Sequence, residues 1–185
     1  MVNDALKEAE IRMKGAVRAL EDDLAAIRTG RASPALVDRL SVEYYGSPTP
    51  LQQLATISSP EPRLLTIRPF DPASLKDIER AILASDLGLT PNNDGKVIRL
   101  NIPTLTEERR LELVKVVRNR TEEGRVAVRN VRRDALNDMR DFEKEKMISE
   151  DDLKRGSDDL QKLTDRYIET LNELCEHKEN EVLEV

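Results

Sequence analysis

The sequence predicts an α+β fold in which a three-helix bundle is interrupted by a small inserted domain. Two observations carry that prediction. Segments within 1–30 and 105–185 space their apolar residues three and four apart, as one-sided helices do. Between them, residues 31–104 switch to short alternating runs broken by Pro, Gly and Asn, which is the pattern of strands and turns.

The first helical segment carries Leu6, Ala9, Met13, Ala16, Val17, Leu20, Leu24 and Ile27 on one face, and Gly30 and Pro34 punctuate its end. The second starts after Pro103 at Thr106, a good N-cap, with Glu107 and Glu108 set against the positive end of the helix dipole. Its seam is Leu113, Val117, Val128, Val131, Ala135, Met139 and Phe142. If helical to Lys146, it runs roughly 60 Å. Gly124 lies inside that seam, where it suits close packing better than termination. The third segment opens on Ser149 with Glu150, Asp151 and Asp152, and its seam is Leu153, Leu160, Leu163, Tyr167, Leu171 and Leu174. None of the three can bury its face alone, so they pack together.

In the insertion, Val42 to Tyr45 reads as a strand stopped by Gly46-Ser47-Pro48-Thr49-Pro50. Further strands are expected at Ala55-Thr56-Ile57, at Leu64-Leu65-Thr66-Ile67 and, after the turn signal Asn93-Asp94-Gly95, from Lys96 to Ile102. A short helix is expected over Leu75 to Leu83. The chain crosses into and out of this unit near Gly30-Arg31 and near Pro103-Thr104-Leu105, and two such short connections predict a hinge.

Composition agrees with long solvated helices: 36 % of residues are charged and 3 % are aromatic, with no Trp. There is no apolar run of the length a membrane span needs and no basic-then-apolar signal segment, so a cytoplasmic protein is expected. The net charge of −6 hides an asymmetry. Thr106 to Arg133 holds nine Lys or Arg against five Asp or Glu, whereas Asp134 to the end holds eight against seventeen. An anionic partner follows the local field, not the total.

The basic half is patterned. On a helix of 3.6 residues per turn, Arg125, Arg129 and Arg132 fall within roughly 40° of Arg118. Arg109, Arg110 and Lys115 extend the basic character toward the N-terminal end, whereas Arg120 lies roughly 200° away. A guanidinium fork suits phosphates and base edges. Two readings stand at this point: the stripe faces RNA, or it pairs with carboxylates on neighbouring helices of a solvated bundle. Along its own helix only Glu122 sits at a comparable angle. A helical adaptor for an acidic protein surface is a third, more distant reading.

Enzyme signals are missing from the sequence. His177 is the sole histidine and lies two residues from the sole cysteine, Cys175, on a different helical face. No metal-ligand spacing and no phosphate-binding glycine loop is present, so no catalytic residue, metal or cofactor is expected.

Several long blocks go further: Ile27-Arg28-Thr29-Gly30-Arg31-Ala32-Ser33-Pro34, Val42-Glu43-Tyr44-Tyr45-Gly46-Ser47-Pro48-Thr49-Pro50-Leu51, Ala84-Ser85-Asp86-Leu87-Gly88-Leu89, Pro103-Thr104-Leu105-Thr106-Glu107-Glu108-Arg109-Arg110, and Arg125-Val126-Ala127-Val128-Arg129-Asn130-Val131-Arg132-Arg133-Asp134. With these blocks the chain resembles the bacterial ribosome recycling factors over essentially its whole length. The resemblance implies an L-shaped monomer, with an elongated bundle and a small β/α/β domain turning on Gly30, Arg31, Thr104 and Leu105. It implies binding to 23S ribosomal RNA of the large subunit in the vacated A site. With elongation factor G and GTP, dissociation of the post-termination ribosome and release of mRNA and tRNA would follow. It also implies RNA contacts by Arg110, Arg129 and Arg132, and by Arg28 and Arg31 near the crossing; Arg118 and Arg125 join them from the stripe alone. Thr90 and Asn119-Arg120 depart from the family pattern without touching these arginines.

Overall fold

A computed structural model describes residues 1–184. The chain divides into two compact units, Met1–Arg28 with Glu107–Glu184, and Thr29–Thr106.

The first unit is three helices packed on one another: α1 (Val2–Ala25), α4 (Glu107–Lys144) and α5 (Glu150–Leu183). The second holds β1 (Ser41–Tyr44), β2 (Ser47–Pro50), α2 (Leu51–Leu54), β3 (Ala55–Glu61), β4 (Leu64–Pro69), α3 (Leu75–Ala84), β5 (Pro91–Asn93) and β6 (Ile98–Asn101).

The bundle core is the set of apolar seams meeting along their length. Ala9, Met13, Val17, Leu20 and Leu24 of α1 pack with Val117, Val128, Val131, Ala135 and Met139 of α4 and with Leu160, Tyr167 and Leu171 of α5. Leu6, Leu153, Leu163 and Leu174 are half-buried at its margins. At 38 residues, α4 is about 57 Å long. The start of α5 is fixed by a reciprocal cap: Ser149 Oγ accepts from the Asp152 amide, and the Ser149 amide donates to Asp152 Oδ2, both at 3.1 Å. The buried hydroxyls of Thr121 and Thr164 donate to the carbonyls of Val117 and Leu160 one turn back, so neither is orphaned in the core.

Two glycines let the helices approach. A Cβ on Gly124 would stand 3.4 and 3.5 Å from the Leu171 methyls, which is contact distance. A Cβ on Gly156 would stand 2.7 Å from Val2 Cγ1 and 3.0 Å from Met139 Sδ, so that position admits no side chain without displacement.

The second unit has its own core. β3, β4, β6 and β5 form, in that order, an antiparallel sheet, and β1 and β2 form a separate hairpin. The inward residues Leu65, Ile67, Ile98 and Leu100 pack with Ile78 and Ile82 of α3 and with Val37, Val42 and Leu51. The sequence reading misses β2 and β5. Pro48 and Pro50 in β2 read as a stop signal, yet the two share parity along the strand, so both sit on an edge that needs no donor. β5 has only three residues and no apolar alternation to reveal it. Tyr44 is half-buried and donates to Asp71 Oδ2 at 3.1 Å, while Tyr45 is exposed at the hairpin turn.

Candidate nucleic-acid interface

Five of the seven arginines singled out in the sequence stand on α4. Arg118, Arg125, Arg129 and Arg132 span about 21 Å of helix, and Arg110 lies farther toward the N-terminus, turned roughly 80° from Arg118. The remaining two are placed differently. Arg28 is exposed in the segment that follows α1, and Arg31 is exposed in the second unit, beside Ala32 and Ser59–Pro62. Gly30, Thr104 and Leu105 also belong to the second unit. There Gly30 takes φ +76°, a conformation natural only to glycine, and a Cβ on it would stand 3.3 Å from Leu105 Cγ and 3.6 Å from the Pro103 carbonyl.

What the α4 arginines touch was not readable from α4 alone. The stripe runs along α5, and α5 supplies most of its partners. Arg118 Nε and Nη2 donate to the two carboxylate oxygens of Glu179, at 2.6 and 3.3 Å. Arg125 Nε donates to Asn172 Oδ1 at 2.9 Å. Arg132 Nη1 donates to Gln161 Oε1 at 2.7 Å, and Gln161 in turn donates to Asp165 at 2.8 Å. Within α4, Arg125 and Arg129 share Glu122, at 2.8 and 3.1 Å. The expectation of few acidic neighbours therefore needs correcting for Arg118, which is paired across the helix interface.

These partners separate the arginines electrostatically. Arg118 is neutralised by a bidentate carboxylate, and its guanidinium holds the Glu179 carboxyl below the usual range, chiefly through the hydrogen bond. Arg132 is held by a neutral amide and keeps its full charge while its direction is fixed. Arg129 remains half exposed, with 48 % of its side chain open to solvent. The face therefore presents Arg132 as a cation held by a neutral amide, and Arg129 as a half-exposed cation whose one partner among the described residues, Glu122, belongs to its own helix. Preorganisation of this kind lowers the ordering cost of binding an anion.

Chemistry of other kinds finds no matching arrangement among the described residues. Cys175 is buried and His177 exposed. No three His, Cys, Asp or Glu residues are placed to hold a metal ion. No helix is long and apolar enough to cross a membrane.

Comparison with known proteins gives the class of this bundle-and-sheet chain: a non-enzymatic translation factor. The family model for ribosome recycling factor matches residues 20–183. The chain belongs to the ribosome recycling factor family. It is 57 % identical over 185 residues to the ribosome-recycling factor of Carboxydothermus hydrogenoformans, covering 100 % of both chains. It is 60 % identical to that of Roseiflexus sp. over the same full length. A solution structure of a ribosome recycling factor superposes with a TM-score of 0.76 at 48 % identity, covering 100 % of this chain and 98 % of the other. A second similar structure, with a TM-score of 0.66 and 48 % identity, covers 99 % of both chains. It belongs to models for the T. thermophilus ribosome recycling factor and the E. coli elongation factor G bound to the E. coli post-termination complex.

Proposed function

We propose that this chain works in the cytoplasm by laying the arginine face of α4 on ribosomal RNA of the large subunit. It occupies the vacated A site and, with elongation factor G and GTP, drives the post-termination ribosome into subunits, releasing mRNA and tRNA. The observation that carries the RNA reading is the α4 arginine stripe, with Arg118, Arg125 and Arg132 held from α5 and Arg129 half exposed beside them. Arg110, Arg118, Arg125, Arg28 and Arg31 supply the rest of the contact in this reading, Arg118 least because Glu179 already neutralises it. A T. thermophilus relative placed together with elongation factor G supports the choice of partner.

The mechanism is mechanical. Arginine contacts anchor the bundle, while 31–104 turns on Gly30, Arg31, Thr104 and Leu105 and receives the force of the GTPase. Subunit splitting is read by light scattering from post-termination ribosomes. The fall in scattering is expected only when this protein, elongation factor G and GTP are all present; an unchanged signal with all three would sink the proposal. For the hinge, spin labels on α4 and on β4 are expected to give a broad distance distribution in solution. A single sharp distance would show one rigid body.

A further inference from the structure

We propose that Glu122 is a built-in counterion, filling a two-arginine cradle that an RNA phosphodiester takes over on binding. This inference rests on the reading that the arginine face meets RNA.

Arg125 and Arg129 stand one turn apart on α4 and converge on one carboxylate. Arg125 Nη1 donates to Glu122 Oε2 at 2.8 Å, and Arg129 Nη1 donates to Oε1 at 3.1 Å. A carboxylate and a phosphodiester both present two anionic oxygens to forked donors, so a geometry that receives one receives the other. One half of the cradle keeps its shape without Glu122, while Arg129, whose one partner among the described residues is Glu122, follows the anion. Arg125 is fixed from its other side by Asn172 Oδ1 at 2.9 Å, so its guanidinium stays in place when the carboxylate leaves.

The remaining anionic partner on the face is of another kind. Glu179 belongs to α5, is only 19 % exposed, and ties α4 to α5 through Arg118. Both ion pairs of Glu122 lie within α4, tie no two helices together, and leave the carboxylate 52 % exposed. It is a replaceable occupant. The two arginines, Arg125 foremost, also hold its carboxyl below the ordinary range, so it stays ionised at neutral pH and competes as a full charge.

Two consequences follow. An incoming phosphate must displace the carboxylate, and the displaced carboxylate then remains within a Debye length as a like charge. The bundle therefore holds RNA less tightly than its arginines alone would allow, which suits a factor that must leave after each round.

The test is equilibrium co-sedimentation with isolated large ribosomal subunits in chloride buffers of varied concentration. Glu122→Gln keeps the shape and removes the charge, and is expected to bind about three- to ten-fold more tightly than wild type. Its salt dependence should steepen by up to roughly 0.7–0.9 in log–log slope, since the face meets the RNA with one more net positive charge. Glu122→Ala provides a second variant with the same expected sign. In an Arg125→Ala/Arg129→Ala background the gain should vanish. Unchanged or weaker binding of folded Glu122→Gln, beside wild type that still binds in a salt-sensitive way, overturns the cradle. So does a gain that persists without the two arginines, because it would report only general charge. Wild type that does not bind at all overturns the RNA reading itself, and this inference with it.

Discussion

Replacing Arg129 and Arg132 together by alanine is expected to weaken binding to large ribosomal subunits by about a hundredfold or more. Each hydrogen bond to a charged group contributes about 1.5–3 kcal/mol when its partner is left unmatched. The same double variant should flatten the log–log salt dependence by roughly 1.4–1.8, about 0.7–0.9 for each phosphate no longer neutralised. Stability should hardly change. Arg129 is half exposed, and the Arg132–Gln161 bond lies at the rim of the bundle and not in its core. Surface changes of this sort typically stay near 0.5 kcal/mol, or about 1–2 °C for a chain of this size. Binding isotherms at two salt concentrations, beside a thermal melt, separate the two effects. Full affinity in a folded double variant would leave the face without its assigned role and bring forward the protein-adaptor reading.

The second large effect is on the bundle itself. Leu171 is fully buried and fits against the bare backbone of Gly124, which itself offers no side chain to fill a vacancy. Leu171→Ala is expected to cost about 3 kcal/mol, the cavity adding to the forfeited transfer free energy. The midpoint of thermal unfolding should fall by roughly 6–12 °C. Far-ultraviolet circular dichroism follows the melt. A loss below about 1 kcal/mol would mean that the helices close over the site, and that Gly124 does not hold Leu171 tightly.

The two effects track how much of this molecule its sequence discloses. The bundle is legible because each seam repeats at helical spacing: Met13, Val17, Leu20 and Leu24, or Val128, Val131, Ala135 and Met139, announce one buried face each. The caps are legible too, since Ser149 and Asp152 are local chemistry. Gly124 was readable as a packing position. Gly156 was not, because small residues on a charged helix give no periodic signal until Val2 and Met139 are brought against them. The strands β2 and β5 escape for a related reason: prolines and brevity hide pairing that only the partner strand defines.

The candidate site divides along the same line. Arg118, Arg125, Arg129 and Arg132 share a face because they share a helix, and helical geometry is local. Their partners Glu179, Asn172 and Gln161 lie 61, 47 and 29 residues away in sequence, and only the packing of α4 on α5 brings them alongside. Periodicity therefore found the cations and Glu122 on their own helix, but not the partners on α5. Arg110 and Arg28 came from the family resemblance, since neither falls on the stripe.

Directed hydroxyl-radical probing tests most directly whether the α4 arginine face is the side laid on large-subunit RNA. In a Cys175→Ser background, iron is tethered at Val126→Cys, which is exposed beside the stripe, or at Arg120→Cys on the far side of the helix. Strong, localised cleavage of ribosomal RNA from position 126, with little from position 120, is the predicted result. Equal cleavage from both, or stronger cleavage from position 120, would place another face of the bundle on the RNA.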